Sequence, residues 1–439
     1  MPTPHSKRST HFKRIAWSNR FLTSKHKLVD KKLNSKLIKL LDTTHLKYGT
    51  LAKKFGRALK QKELAAYQSR LLNEYCANPQ KYLELDVDRL VLTLELTDKD
   101  LERLLSDKII EAYPEDSERI LSTKKTGVSG LNNGAYDKHR PRYKKGYLLT
   151  LYNDSRRFVH VAIADGVNSG KQKIQTRKVL RIDFVPQRFT DEEIKIVLGK
   201  LKYVLTARRW EQLVRNARVT RIDIGLNLYG VMSTFVYALA PVKKNNKCLP
   251  DFPRRSLIET TYIQHERRSN HFIVYEKLLK ELNTEEDKGY LTEVEKREKL
   301  LTKLAITTRL ERRFLLNKID GTTPKVKFKQ LAERLDNKLF DLTFVDPMDV
   351  HRLSTKQQGR LFRNKLPEFV KGHLSKKSNS LAVNKQWGAQ AQSELVQHYV
   401  DLICNFESVK TESIQDLATE YEAIKSTNVK QEERQLPQV

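Results

Sequence analysis

The sequence is poor in acid. It sets 53 Asp and Glu against 83 Lys and Arg, so the chain of 439 residues carries a formal charge of +30. It is poor in cysteine too, with only three, Cys76, Cys248 and Cys404, far apart and forming no CxxC pair. That excludes a disulfide scaffold and a thiolate zinc site, and it fits a reducing cytoplasm. Long apolar runs are missing. None approaches the ~18 residues that a bilayer span needs, and no clear amphipathic anchor helix with a bulky apolar face is present, so no membrane partner is expected. The N-terminus has no apolar run beside its basic residues, which argues against a secretory leader. None of the 11 histidines stands two positions from another, so there is no His-x-His metal pair.

What is present is a globular composition, with 39% hydrophobic and 31% charged residues. At roughly 100–200 residues per domain, the length allows two or three domains. A charge of +30 opposes compaction by self-repulsion and calls for a polyanionic partner, for which nucleic acid is the leading candidate. The charge is uneven. Residues 1–80 hold 18 Lys and Arg against Asp30, Asp42, Glu63 and Glu74, a local charge of +14. Leu33, Leu37, Leu40, Leu41, Phe55 and Leu59 recur there at helical spacing, so this segment reads as a basic helical arm that tracks phosphates.

From residue 82 the texture changes to strands. Apolar residues alternate with charged ones in LELDVDRLVLTLEL (83–96), and a basic Gly- and Asn-rich loop spans 126–146. A hairpin turning at Asn153-Asp154-Ser155 follows, then the strands RKVLRIDFVP and RVTRIDIGLNLYG. Thr190-Asp191-Glu192-Glu193 has capping-box order and opens a helix expected to run to about Val214. TTYIQ, HFIVYEK and ITTRLERRF read as further strands, with a charged helical insertion at 278–303. After about 325 the pattern is helical, with a polar tail beyond Tyr421. The expected fold class is α+β: a central antiparallel sheet in residues 82–318, flanked by a helical N-terminal arm (1–80) and a mainly helical C-terminal region (319–439).

Side chains alternate along a strand. In KVLRIDF, Arg181 and Asp183 therefore share a face; in VTRIDIGLNL, Arg221, Asp223, Gly225 and Asn227 do; in TTRLERRF, Arg309, Glu311 and Arg313 do. Each strand presents an Arg and, two residues on, a carboxylate. In HFIVYEK, Tyr275 and Lys277 share a face. If these faces coincide, one surface carries three acids, several cations and a phenol. Clustered carboxylates repel one another unless a divalent cation neutralises them, and oxygen ligands suit Mg²⁺ or Mn²⁺. Phosphodiester transesterification needs this set: a metal polarises the phosphate, Lys and Arg offset the charge growing on its oxygens, and the phenol attacks phosphorus. A phenol with pKa near 10 loses its proton on the way, helped by the metal or by Lys277. His160 lies on the polar side of RRFVHVAIA, a candidate metal or phosphate contact together with Arg221 and Arg309. Tyr229, Tyr262 and Tyr290 are alternative nucleophiles under a different strand register. The bland alternative is that each Arg-x-acid pair is a surface ion pair worth about 0–1 kcal/mol.

In order, VTRIDIGLNLYG, SNHFIVYEK and TTRLERRF resemble the rolling-circle replication initiators of filamentous phages (the gene II type) and of trans-acting plasmid Rep proteins. RKVLRIDFVPQRFT is similar to the strand and turn that precede them. The resemblance covers roughly residues 145–345. It implies a nicking-joining endonuclease of the broad HUH-like class that cuts one strand at an origin, stays attached to the 5′ phosphate and leaves a 3′ hydroxyl primer. Tyr275 would be its nucleophile, Lys277 that residue's partner, and Asp223, Glu311 and Asp183 the metal ligands. Its partners would be single- and double-stranded origin DNA and the host replication helicase and polymerase. Asn227 stands where many plasmid members carry a second Asp. The His-hydrophobe-His motif of the wider class is absent, so the metal site would be mostly carboxylate.

Two other readings compete. His265-Glu266-Arg267-Arg268 contains the His-x-x-Arg of tyrosine recombinases, but it lies in strand-turn-strand rather than helical texture. A non-catalytic origin-binding protein built from winged helices explains the charge and the helical ends, and leaves the face-sharing acids without a use.

Overall fold

The computed structural model of the chain describes residues 28–42, 62–106, 109, 120–132, 143–152, 157–165, 178–239, 248–251, 260–263, 270–277, 305–316, 326–335, 340, 343–353, 380–407 and 414–419. Several expectations lie outside them: the rest of the basic arm, the turn at 153–155, the insertion at 278–303, the His265–Arg268 box, Tyr290 and the polar tail.

In chain order the main elements are α1 (Lys31–Asp42), α2 (Lys62–Ala77), β1 (Leu85–Glu95), α3 (Asp98–Leu105), β2 (Leu121–Thr126), β3 (Lys145–Leu151), β4 (Phe158–Asp165) and β5 (Lys178–Phe184). They continue through α4 (Asp191–Leu205), α5 (Ala207–Arg215), β6 (Arg218–Tyr229), β7 (Tyr237–Leu239), β8 (Cys248–Asp251), β9 (Thr260–Ile263) and β10 (Asn270–Glu276). The last are β11 (Thr307–Leu315), β12 (Thr343–Val345), β13 (Ser380–Ala382) and α6 (Lys385–Asn405). Ten strands form one sheet in the order β2-β3-β4-β5-β1-β6-β11-β10-β9-β8, and β13-β12-β7 form a second. The pairs β2–β3, β3–β4, β4–β5, β5–β1, β10–β9, β9–β8, β7–β12 and β12–β13 are antiparallel. The α+β class with a large antiparallel sheet is therefore the class observed. The C-terminal region, expected to be mainly helical, also carries the short strands β12 and β13.

By compactness the chain divides into two units. One gathers Met1–Asp86, Ile224–Arg313 and Asp336–Gln392; the other gathers Val87–Asp223, Phe314–Leu335 and Ser393–Val439.

In the second unit the alternation of β1, β3, β4 and β5 buries one face completely: Leu90, Leu92, Leu94, Leu149, Val159, Val161, Leu180, Ile182 and Phe184. Helix α4 packs against β3 and contributes the buried Ile194, Val197, Leu198, Leu201 and Leu205. Its capping box is formed as its sequence implies, with Glu193 N–H donating to Thr190 Oγ1 (3.2 Å) and Thr190 N–H donating to Glu193 Oε2 (3.0 Å). The helix does not run on to Val214 as expected. It ends at Leu205, and α5 starts at Ala207. The phase of the apolar residues gives the reason. Three, four and seven residues past Leu205 stand Arg208, Arg209 and Gln212, whereas the buried residues are Trp210, Leu213 and Val214. A continuous helix would turn those three outward.

The junction residue, Thr206, has φ +74 and ψ 147, a region nearly reserved for glycine. Thr206→Gly is expected to raise stability by about 1 kcal/mol in chemical denaturation, and Thr206→Ala to give no gain. The turned helix holds the end of α6. Trp210 Nε1 donates to the Ile403 carbonyl (3.3 Å), and Arg215 to Asn405 Oδ1 (2.8 Å).

In the first unit, helix α2 clamps the end of β6. Gln68 donates to the Gly230 carbonyl (2.9 Å) and accepts from Met232 N–H (3.0 Å), and Tyr75 OH donates to the Tyr229 carbonyl (2.6 Å). Gly230 has φ +75, and a Cβ there would stand 3.0 Å from Tyr67 Oη, so the turn needs glycine on both counts. Asn34 of α1 accepts from Ile306 N–H (3.0 Å) just ahead of β11. These bonds fix the ends of the two strands that carry the candidate site.

Candidate active site

Strands β6, β11 and β10 are neighbours, in that order. On β11, Arg309 and Glu311 are two residues apart and so share a side. Each reaches a different neighbouring strand. Arg309 Nη1 donates to Asn227 Oδ1 on β6 (2.8 Å) and to Asp86 Oδ2 (3.1 Å). Asn227 Nδ2 donates to the same Asp86 oxygen (3.0 Å) and to Tyr229 OH (3.4 Å). In the other direction, Tyr275 OH on β10 donates to Glu311 Oε2 (3.3 Å). Arg309 is 0% exposed, Glu311 5% and Tyr275 4%. Glycine makes the first reach possible: a Cβ on Gly225 would overlap the Arg309 guanidinium.

The opposite side of β10 and β11 is also polar in part. Glu276 Oε1 accepts from Thr307 N–H (3.0 Å), and the Arg312 guanidinium lies 5.2 Å from the Phe272 ring centroid. Lys277 is buried immediately past the end of β10. Burial, then the negative charges of Asp86 and Glu84, push the Tyr229 phenol far above its usual range, which counts against Tyr229 as a nucleophile.

Tyr262, an alternative nucleophile, lies on β9, paired with Ile273 of β10; Asp223, Asp183, His160 and the arginines beside them lie in the other compact unit, in two groups. Asp223 is 1% exposed, and Arg221 of its own strand holds both its oxygens, Nε standing 2.8 and 3.0 Å away. Asp183 is held by two guanidinium groups. Arg89 grips it bidentately (2.8 Å to each oxygen), and Arg181 Nη2 donates to Oδ2 (2.8 Å). His160 stands directly opposite Asp183 in the β4–β5 register. Burial works to raise the Asp183 carboxyl, yet the hydrogen bonds and charge of Arg89 and Arg181 outweigh it and hold it below the usual carboxylate range. Burial lowers the His160 imidazole, with Asp183 pulling the other way.

A depressed folded-state pKa stabilises the fold above the unfolded value near 4, and this contribution is lost as pH falls through the folded value. Asp183→Asn is expected to cost about 2 kcal/mol at neutral pH, less than a fully buried pair because Arg89 is partly exposed. The wild-type advantage over it in denaturation midpoints should shrink on acidification below about pH 4.

Among the described residues, no group of three or more His, Cys, Asp or Glu side chains is placed to hold a metal ion. The positive charge beside Asp183 and Asp223 comes from arginine. A cation at either would have to compete with guanidinium groups already hydrogen-bonded there. Asp86, which the sequence analysis gave no role, is a carboxylate that neutralises buried Arg309. Its only signal was an alternating strand, LELDVD, with nothing to say which cation it would meet.

No family model matches the chain, and no curated protein sequence does. Among solved structures, the chain is similar to a rolling-circle replication initiator protein from Geobacillus stearothermophilus, with a TM-score of 0.25 and 12% identity over 53% of this chain and 74% of that one. A likeness of that size carries no argument about the site. No helix among the described residues is long and apolar enough to cross a membrane.

Proposed function

We propose that this chain is a rolling-circle DNA replication initiator, a nicking-joining endonuclease of the HUH-like class with Tyr275 as its nucleophile. The observation that carries this reading is the buried Tyr275–Glu311 hydrogen bond, two residues along β11 from a buried arginine. A phenol is a poor nucleophile until its proton is removed, and a carboxylate in hydrogen-bond contact is the group to remove it. The phenolate oxygen then bonds to phosphorus and the P–O3′ bond breaks. The 3′ oxygen leaves as a hydroxyl on taking up a proton, while the 5′ phosphate stays on Tyr275. Arg309 and Lys277 offset the charge that builds on the non-bridging oxygens.

In this reading the basic N-terminal arm contacts DNA, and host helicase and polymerase extend the primer. The sequence expectation of Mg²⁺ or Mn²⁺ with Asp223, Glu311 and Asp183 remains a separate proposal, tested by chelation. If EDTA stops the reaction and Mn²⁺ restores it, a cation takes part.

The test is to incubate the protein with supercoiled DNA bearing the replicon's own origin. Open circles with protein on the 5′ end are expected. Products cut but never protein-linked would rule out the tyrosine route. The burial of Tyr275 favours one competing reading, a non-catalytic origin-binding protein in which the same residues are a structural network. It predicts origin binding and no open circles under any divalent ion.

A further inference from the structure

Helix α4 carries a glycine in mid-helix that no neighbour among the described residues requires. Gly199 stands ninth of its 15 residues, where glycine weakens a helix relative to alanine. It is half-buried, yet among the described residues a Cβ added there would meet nothing within 4 Å. Four residues on stands Tyr203, the exposed large hydrophobic side chain among the described residues, 50% exposed. With Glu192 and Lys195 these two form the outward stripe of α4. Helix α6 flanks it, with His398 Nε2 lying 3.2 Å from Asp191 Oδ1 and Lys202 Nζ donating to the Phe406 carbonyl. Helix α3 flanks its C-terminal end, where Arg103 Nη1 donates to the Leu205 carbonyl (3.2 Å). At exposed positions of α3, α4, α5 and the part of α6 from Ser393, Asp and Glu outnumber Lys and Arg by seven to three, in a chain whose overall ratio is 53 to 83.

We infer that the outward stripe of α4 binds the same stripe of a second copy of this chain, the two helices running antiparallel about a two-fold axis. The stripe is complementary to itself. With a notch at Gly199 and a ring at Tyr203, the ring of each copy enters the notch of the other, the reciprocal contact that two-fold symmetry requires. With no Cβ in the way, the helix axes approach closely there, and a tyrosine seated in a notch supplies a large contact area on few rotatable bonds. The ends fit as well. Glu192 lies in the first turn of α4 and exposed Arg208 just past its last, so the antiparallel pair sets each Glu192 towards Arg208 of the other copy. Net charge points the same way. Two chains of +30 repel each other, and across this acid-rich layer a second copy meets little of that repulsion. The same layer repels a polyanion, so nucleic acid leaves it open. The inference stands apart from the nicking reading, because Tyr275 lies in the other compact unit and pairing through α4 would serve a non-catalytic protein equally well.

The test is sedimentation velocity of the full chain, without DNA, over about a hundredfold range of concentration. The wild type is expected to pass from monomer to dimer within it. Gly199→Ala should weaken the dimer about tenfold while raising the urea midpoint, because alanine fills the notch and favours the helix. A glycine with a purely internal role would not give those opposite signs. Tyr203→Ala should weaken the dimer at least about tenfold. Glu192→Arg and Arg208→Glu should each weaken it about fivefold, and the double variant should return to within about twofold of the wild type. Urea denaturation of each variant checks that it is folded. A chain monomeric at every concentration, whose α4 face would then meet another protein or none, overturns the inference. So does a dimer that Gly199→Ala and Tyr203→Ala leave unchanged, and so do charge-swap losses that add instead of cancelling. Nicking by the wild type is scored separately, so the two readings fail independently.

Discussion

Tyr275→Phe is expected to remove origin nicking altogether, a loss of at least about a thousandfold, while origin binding stays within a factor of two or so. The substitution deletes one oxygen, and the ring keeps its place among buried neighbours, so the cost to stability is that of one hydrogen bond to a carboxylate, about 1.5–3 kcal/mol. Glu311→Gln separates the chemical role of that bond from its structural one. Glutamine still accepts from the phenol but cannot take its proton. Nicking should fall by about 10²- to 10⁴-fold, the usual contribution of a positioned base.

The pH profiles decide the matter. With Glu311 as the base, the wild-type rate falls as acid protonates the carboxylate and is flat above that point. In Glu311→Gln the rate should instead climb towards alkaline pH, where the phenol ionises without a base beside it. A variant profile parallel to the wild type, only lower, would assign Glu311 to packing alone. Full activity in Tyr275→Phe would move the nucleophile elsewhere.

The strands of the site were largely legible in the sequence. VTRIDIGLNLYG became β6, HFIVYEK became β10 and TTRLERRF became β11, each within a residue or two. A period-2 pattern with β-branched residues specifies a strand whatever its neighbours are. What lay beyond reach was the partner of each charge. Arg-x-Asp and Arg-x-Glu look alike in three strands, but they resolve differently. Arg221 folds back on Asp223, and Arg181 does so on Asp183 with Arg89 added from the neighbouring strand. On β11 the pair splits, Arg309 towards β6 and Glu311 towards β10. Strand order decides this, and strand order is set by long-range pairing that no local pattern encodes. The break at Thr206, by contrast, was latent in the phase of Trp210, Leu213 and Val214, which an unbroken helix cannot bury.

The split on β11 depends on a missing side chain, and this gives the second large effect. Gly225→Ala places a methyl group where the Arg309 guanidinium lies, and that guanidinium, itself 0% exposed, has no open space to move into. Leaving Asn227 and Asp86 strands a buried charge, so the expected loss is about 3 kcal/mol, within the 3–5 kcal/mol typical of a broken buried pair. A bare drop in stability could come from any poorly tolerated alanine, so a double-mutant cycle is needed. In an Arg309→Met background the same methyl group meets a thinner, flexible chain with no charge to displace. There Gly225→Ala should cost under about 1 kcal/mol, giving a coupling of about 2 kcal/mol in urea denaturation. Strict additivity would mean that Arg309 does not lie over Gly225. The nicking reading would then lose the cation that Gly225 lets β11 lay across β6.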